Sequence, residues 1–153
     1  MKNMTFTELC KPFDSLTLKE LYAILRLRSE VFVLEQECVF LDADEKDFKC
    51  QHLMLFSEHK LVAYARIVPP GVSFSEASIG RVVTSPIVRG KNFGKILMRL
   101  AISNCERLHG LRDIRIGAQS YLQPFYESFG FIQTGEPYLE DDIPHIEMVK
   151  KLP

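Results

Sequence analysis

The stretch Ile79-Gly80-Arg81-Val82-Val83-Thr84-Ser85-Pro86-Ile87-Val88-Arg89-Gly90-Lys91-Asn92-Phe93-Gly94-Lys95-Ile96-Leu97 reads as a strand, a short loop and the start of a helix. Residues 79–84 have strand composition and stop at Ser85-Pro86. From residue 93 onward, apolar side chains recur at Phe93, Ile96, Leu97, Leu100, Ala101 and Leu108, one face of a helix that Gly110 can terminate. Gly90, Asn92 and Gly94 crowd the helix start. Free backbone N–H groups at such a start bind anions, and small residues let a phosphate come close. Asn tolerates positive φ nearly as well as Gly, so Asn92 fits the same backbone path.

Charge agrees with this reading. Residues 77–105 carry Arg81, Arg89, Lys91, Lys95 and Arg99 and no acid, in a chain whose 19 basic and 20 acidic residues give a net charge of −1. A local cationic excess beside glycines points to a phosphorylated ligand, whereas a solvated basic helix face would not need the glycines. The loop is not a nucleotide P-loop: the interval from Gly90 to Gly94 is one residue too short, and Ile96 stands where a metal-binding hydroxyl is needed. Nor does it match the dinucleotide fingerprint, which follows a first strand and has an acid about 20 residues on.

Working outward, residues 4–9 alternate weakly as a first strand. Thr17-Leu18-Lys19-Glu20 is a capping box, and Leu21, Ile24, Leu25, Leu27, Val31 and Phe32 carry the helix that follows to about Glu35. Residues 53–56 and 61–68 read as strands joined by a hairpin at Glu58-His59-Lys60, and residues 114–118 as another strand. Residues 124–129 form a short helix, Pro first and Gly130 after it, with closing strands at 131–134 and 146–149. The order predicts an α/β (α+β) fold with helices on the faces of a mixed sheet.

Length and composition set the outer bounds. The chain has 153 residues, 46% hydrophobic and 25% charged, which suits one globular domain over residues 1–153. The charge balance argues against a nucleic-acid partner. No apolar run approaches the roughly 20 residues of a membrane span, so no membrane partner is expected. The N-terminus leads into no secretory h-region. Cys10, Cys38, Cys50 and Cys105 lack a C-x-x-C pair, and a core this size needs no disulfides; a cytoplasmic location with four reduced thiols is expected. Neither these cysteines nor His52, His59, His109 and His145 show metal-ligand spacing, and residues 42–47 lack the glycine and terminal Glu of a Ca²⁺ loop, so no metal is expected.

The segment Arg89-Gly90-Lys91-Asn92-Phe93-Gly94 resembles the R/Q-x-x-G-x-G/A signature of the GNAT superfamily of acetyl-CoA-dependent N-acetyltransferases. Gly80-Arg81-Val82-Val83 resembles that family's fourth strand, and Phe125-Tyr126-Glu127-Ser128-Phe129-Gly130-Phe131 its FYxxxGF segment. Further matches resemble the ElaA-type subgroup: Leu27-Arg28, Val31-Phe32-Val33, Glu35-Gln36, Asp42 and Asp44, His52-Leu53, Ala63-Tyr64-Ala65-Arg66, Ala118-Gln119 and residues 138–145. Together they span residues 5–150. One position departs: Asn92 stands where the family usually has Gly.

The resemblance implies a twisted, mostly antiparallel sheet of about six to seven strands, splayed between strands 4 and 5. It implies acetyl-CoA as cosubstrate, its arm held by backbone groups of Val82 and Val83 and its diphosphate by those of Arg89, Gly90, Lys91, Asn92, Phe93, Gly94 and Lys95. Tyr126 matches the usual general acid for the departing thiolate; as a residue alone, it could equally be a core tyrosine beside Phe125 and Phe129. The acceptor, a small-molecule or peptide amine, is mostly ammonium at neutral pH and needs a base, for which Glu35, His52 and His145 are candidates. The acids at 42–47 and Glu140, Asp141 and Asp142 suit either attraction of a cationic acceptor or a structural role, as a solvated loop or as partners of Arg28 and Arg66; the structural role is the stronger reading for 42–47, and the two are even for 140–142. Exposed edge strands leave room for a homodimer. The rival readings are an acyl-CoA-binding sensor without turnover and a nucleotide binder using the Gly90 loop.

Overall fold

The computed structural model describes residues 5–152. Strand β1 (Thr7–Pro12) leads to helix α1 (Leu18–Arg28), followed by β2 (Gln51–Ser57), β3 (Lys60–Val68) and β4 (Ala77–Thr84). Helix α2 (Phe93–His109), β5 (Ile114–Gln119), the short α3 (Gln123–Glu127), β6 (Phe131–Glu140) and β7 (Ile143–Lys150) complete the chain. All seven strands form one sheet in the order β1-β2-β3-β4-β5-β7-β6, antiparallel except for the β4–β5 pair.

Local chemistry accounts for the elements. Thr17 Oγ1 accepts from the Glu20 N–H while a Glu20 carboxylate oxygen accepts from the Thr17 N–H, closing the capping box. The helical path does run to Glu35, but residues Ser29–Glu35 are wound as a π-helix. There the Gln36 N–H donates to the Val31 carbonyl and the Cys38 N–H to that of Val33. Helices of this type are rare and cluster at functional sites. Glu58 and His59 both take positive φ at the β2–β3 turn, as Asp141 and Asp142 do at the β6–β7 turn.

Several boundaries differ from the sequence expectation. The first strand begins at Thr7 and ends at Pro12 rather than Leu9, and Met4 lies outside the described residues. Helix α3 stops at Glu127. Strands β6 and β7 are longer than expected, because β6 continues through a register shift between Thr134 and Tyr138 that hides its alternation.

The sheet is covered on both faces. Leu97, Met98, Ala101 and Cys105 of α2 pack with Leu53, Leu55, Ala63, Ala65 and Ile67. Ile24 and Leu27 of α1, with Val31, pack with Met54, Tyr64 and Val83 on the other side. Alternate residues of β2 and β3 thus divide between the two faces, as pleating requires. Strand β4 breaks that rule. Ile79 and Val83 are four apart and should share a face, yet Ile79 packs towards α2 and Val83 towards α1. A bulge is the cause: Tyr64 pairs with Val83 and Arg66 with Gly80, so Arg81 and Val82 together oppose Ala65. The extra residue moves everything after it to the opposite face.

Candidate active site

The bulge lies on an opening in the sheet that begins just before it, after Ser78. Strands β4 and β5 pair only at Ala77–Ile114 and Ser78–Arg115. Beyond these pairs they diverge, and a cleft of about 1040 Å³ runs between Ile79–Thr84 on one wall and Ile116, Gly117, Ala118 and Gln119 on the other. The bulge is locked by ionic contacts. Arg81 stands at φ 48°, a left-handed conformation that a residue with a Cβ rarely adopts. Its Nε donates to Asp42 Oδ1 at 2.9 Å and its Nη2 to the Asp42 carbonyl at 3.1 Å, with the Phe40 ring 5.8 Å from the guanidinium carbon. Arg81 is therefore not part of the phosphate-facing charge that the sequence suggested. Lys91, Lys95 and Arg99 remain exposed and form no ion pair among the described residues.

Beneath Arg81 lies a buried network. Arg28, fully buried, donates to Asp42 at 2.7 Å and to Asp47 at 2.8 Å; Arg66 donates to Asp44 at 2.8 Å and to Asp47 at 3.0 Å. Burial alone would raise the Asp44 and Asp47 pKa values, but these guanidinium bonds and charges hold both carboxyls below the usual range. Asp42, Asp44 and Asp47 are thus partners of Arg28 and Arg66, one of the alternatives the sequence left open, with Arg81 added.

At the α2 end of the cleft the backbone follows the predicted path. Gly90 has φ 78° and Asn92 φ 66°, ψ 13°. The Ile96 N–H donates to the Asn92 carbonyl, and the N–H groups of Asn92, Phe93, Gly94 and Lys95 have no backbone acceptor among the described residues. A Cβ on Gly94 would stand 3.7 Å from the Phe125 ring. Arg89 does not hang free: its guanidinium is 2.6 Å from Glu35 Oε1, and both side chains line the cleft.

Tyr126 sits on α3 in the cleft wall, 7% exposed, its ring edge-on to Phe125 and Phe131. Its hydroxyl has no hydrogen-bond partner among the described residues. Burial, helped by neighbouring Tyr121, pushes its pKa up to about 12. Tyr126 is both a core tyrosine and a cleft residue.

The three candidate bases are placed very differently. Glu35 is held by Arg89. His52 is 1% exposed and does not line the cleft: its Nδ1 is 2.7 Å from the Tyr64 hydroxyl and its Nε2 2.9 Å from the Asp47 carbonyl. Burial lowers its pKa, and both nitrogens are occupied. His145 does line the cleft. Its Nδ1 is 2.7 Å from the Ile143 carbonyl, which must accept, so Nδ1 carries a proton and Nε2 is free to take one. Glu140 Oε2 lies 3.3 Å from that Nε2.

Tyr138, to which the sequence reading gave no role, stacks on His145 with ring centroids 5.8 Å apart. Its hydroxyl reaches to 3.0 Å from where a Cβ on Gly117 would stand, so Gly117 leaves room for it. The signal was present as a β6–β7 pairing of Tyr138 with His145, but Gly135 and Pro137 obscure that strand. Thiol chemistry is poorly supported: burial pushes Cys50 and Cys105 up to about 11, which keeps both protonated at neutral pH. Among the described residues no group of three or more His, Cys, Asp or Glu could hold a metal.

A parallel β4–α2–β5 unit splayed beside a helix start with free backbone N–H groups is the arrangement the resemblance implied, and residues 33–152 match the acetyltransferase (GNAT) domain family. The chain belongs to the GNAT acetyltransferase family. Among its GNAT relatives, protein ElaA of Escherichia coli is 40% identical over 141 residues, covering 91% of this chain and 92% of ElaA. The crystal structure of E. coli ElaA superposes with a TM-score of 0.90 at 37% identity, covering 96% of this chain and 100% of that one. An acyl-CoA N-acyltransferase from Pseudomonas aeruginosa superposes with a TM-score of 0.91 at 42% identity, covering 95% of this chain and 99% of that one. The GNAT fold, including the seven-stranded sheet with its single parallel pair, is thereby established for this chain. No helix among the described residues is long and apolar enough to cross a membrane.

Proposed function

We propose that the chain acts as one N-acetyltransferase domain, moving an acetyl group from acetyl-CoA to a primary amine by direct attack within a ternary complex. The observation that carries this reading is the divergence of β4 from β5 beside Tyr126, a buried residue whose hydroxyl, unpartnered among the described residues, reaches the cleft. The thioester arm adds along β4 through backbone groups of Val82 and Val83, and an N–H near Val83 polarises the thioester carbonyl as charge builds on its oxygen. The diphosphate rests on the free backbone N–H groups of Gly90, Asn92, Phe93, Gly94 and Lys95 at the helix start; the Arg89 and Lys91 N–H groups, expected to join them, already donate to the Pro86 and Val88 carbonyls. The amine nitrogen bonds to the carbonyl carbon, the C–S bond breaks, and the departing thiolate takes the Tyr126 proton. The proton shed by the amine goes to His145 Nε2. Of the three candidates, His52 does not line the cleft and Glu35 lines it but is engaged by Arg89, whereas His145 lines it with its Nδ1–H fixed on a backbone carbonyl. The scheme uses no metal. Four free cysteines suit the reducing cytosol where we place it.

The test is acetyl-CoA binding by calorimetry, followed on the same sample by thiol release against an amine panel. Tyr126→Phe is expected to cut turnover about 10²-fold or more while sparing acetyl-CoA affinity. Binding without release from any amine would indicate an acyl-CoA sensor on this scaffold. Absence of binding by folded protein would overturn the reading.

A further inference from the structure

We propose that the acceptor is a small dicationic alkyl amine, a diamine or polyamine; this rests on the acyltransferase reading above. The cleft has two ends of opposite charge. At the α2 end, Lys91 and Lys95 are exposed without ion-pair partners among the described residues. At the other end, Glu140, Asp141 and Glu147 line the cleft, and none of the three has a Lys or Arg partner within ion-pair distance among the described residues. The cations that line the cleft do not offset them. Arg66 and Arg81 belong to the Asp42–Asp44–Asp47 network and Arg89 to Glu35; Lys46, which donates to the neutral Ser73 Oγ at 3.2 Å, keeps its charge but is one cation against three carboxylates.

Strand register brings the acidic end to the reacting end. On β7, His145 and Glu147 are two apart and share a face. Across from them stand Gln119 and Gly117 on β5, and Tyr138 on β6. The hydroxyl of buried Tyr126, unpartnered among the described residues, reaches the same cleft. His145 accounts for one positive charge of the acceptor, because it must take that ammonium's proton; once charged, it is balanced by Glu140 at 3.3 Å. Glu147 and Asp141 are left over; both attract a second ammonium on the acceptor, which offsets one of their two charges. The Tyr138 ring, packed close over Gly117, supplies an apolar and π surface for the alkyl chain between the two nitrogens.

The same end is bridged across its mouth, which favours a small acceptor over a protein side chain. Gln119 Nε2 donates to Gln36 Oε1 at 3.3 Å, and Cys38 Sγ lies 3.7 Å from the Asp141 carbonyl. These contacts tie the segment after the π-helix to β5 and to the β6–β7 turn.

The experiment compares kcat/KM for 1,4-diaminobutane, spermidine, n-butylamine, 4-aminobutanoate and a lysine-containing peptide at saturating acetyl-CoA. The diamine is expected to exceed butylamine by roughly tenfold or more at low salt, and aminobutanoate to be the poorest. Glu147→Gln and Asp141→Asn should each shrink the diamine-to-butylamine ratio severalfold, and high salt should shrink it in wild type. Equal rates for diamine and butylamine, or preference for aminobutanoate or the peptide, would overturn the acceptor assignment while leaving the transferase intact. No release from any of the amines overturns it too, and acetyl-CoA binding on that sample shows whether the underlying reading falls with it.

Discussion

The Arg81 guanidinium holds Asp42 at 2.9 Å across 39 residues of sequence, and in doing so it fixes the one residue of β4 whose backbone turns left-handed. Asp42 is shared, since it also accepts from the buried Arg28 at 2.7 Å. The bulge in the cleft wall is thus tied to the buried ionic network rather than to local strand preference. Arg81→Gly and Arg81→Val both remove the guanidinium, but only glycine accepts φ 48° without strain. The valine variant is expected to be less stable than the glycine variant by about 1–2 kcal/mol in urea unfolding. Equal stabilities would mean that the bulge relaxes and does not depend on this conformation. Both variants should bind acetyl-CoA more weakly than wild type.

What could be read from sequence was whatever depends on neighbours a few residues apart. The α2 stripe, the Thr17–Glu20 box and the Gly90–Asn92–Gly94 path are of this kind, and Asn92 adopts the positive φ expected of it. Pairing of Arg28 and Arg66 with the acids at 42–47 was legible only as one alternative, because opposite charge alone does not say which acids meet which arginine. The bulge was not, because it is a register relation between β3 and β4 held by a distant carboxylate. For the same reason Ile79 and Val83 could not be assigned to opposite faces. His52 shows the other limit: a strand residue's chemistry does not reveal what covers it, and here Tyr64 and the Asp47 carbonyl occupy both nitrogens. Tyr138 was hidden by the irregularity of β6, though it stacks on His145.

Tyr126 bears on the alkaline limb of activity. A phenol raised to about 12 by burial stays protonated, and so able to donate, through pH 10. With an acceptor amine in excess, kcat is expected to hold or rise from pH 7 to about pH 10 rather than fall. An alkaline fall with an apparent pKa below about 10 that disappears in Tyr126→Phe would contradict the burial of this side chain.

Acid should destabilise the protein in two stages. His52 has its pKa lowered from 6.5, first by burial. A depressed folded pKa means that the unfolded chain binds the proton more readily, so stability present above pH 6.5 is lost as pH falls through the folded value. His109, lowered by burial and by Arg112, acts with the same sign. Asp44 and Asp47 are lowered from 3.8, so their contribution is intact above that pH and is lost below it. The urea midpoint should therefore be flat from pH 9 to about pH 7, decline below it, and drop again under about pH 4. The double variant His52→Gln/His109→Gln should lose the first decline and keep the second. A decline of unchanged slope in that variant would rule out both histidines as its source.

The α2 end makes a separate prediction about salt. Lys91 and Lys95 are exposed, so their attraction for the phosphates of acetyl-CoA is screened as ionic strength rises. The backbone N–H groups of residues 92–95 act through short, directed hydrogen bonds and are screened far less. The double variant Lys91→Ala/Lys95→Ala should bind acetyl-CoA several-fold more weakly than wild type at low salt, with the difference closing near 1 M. Asn92→Gly should bind as wild type does, since it keeps the left-handed path; Asn92→Val should cost about 1–2 kcal/mol of stability and weaken binding at every salt concentration. If wild-type affinity does not change with salt, the lysines do not face the phosphates. If Asn92→Val binds normally, the turn at residue 92 does not aim the N–H groups at the ligand.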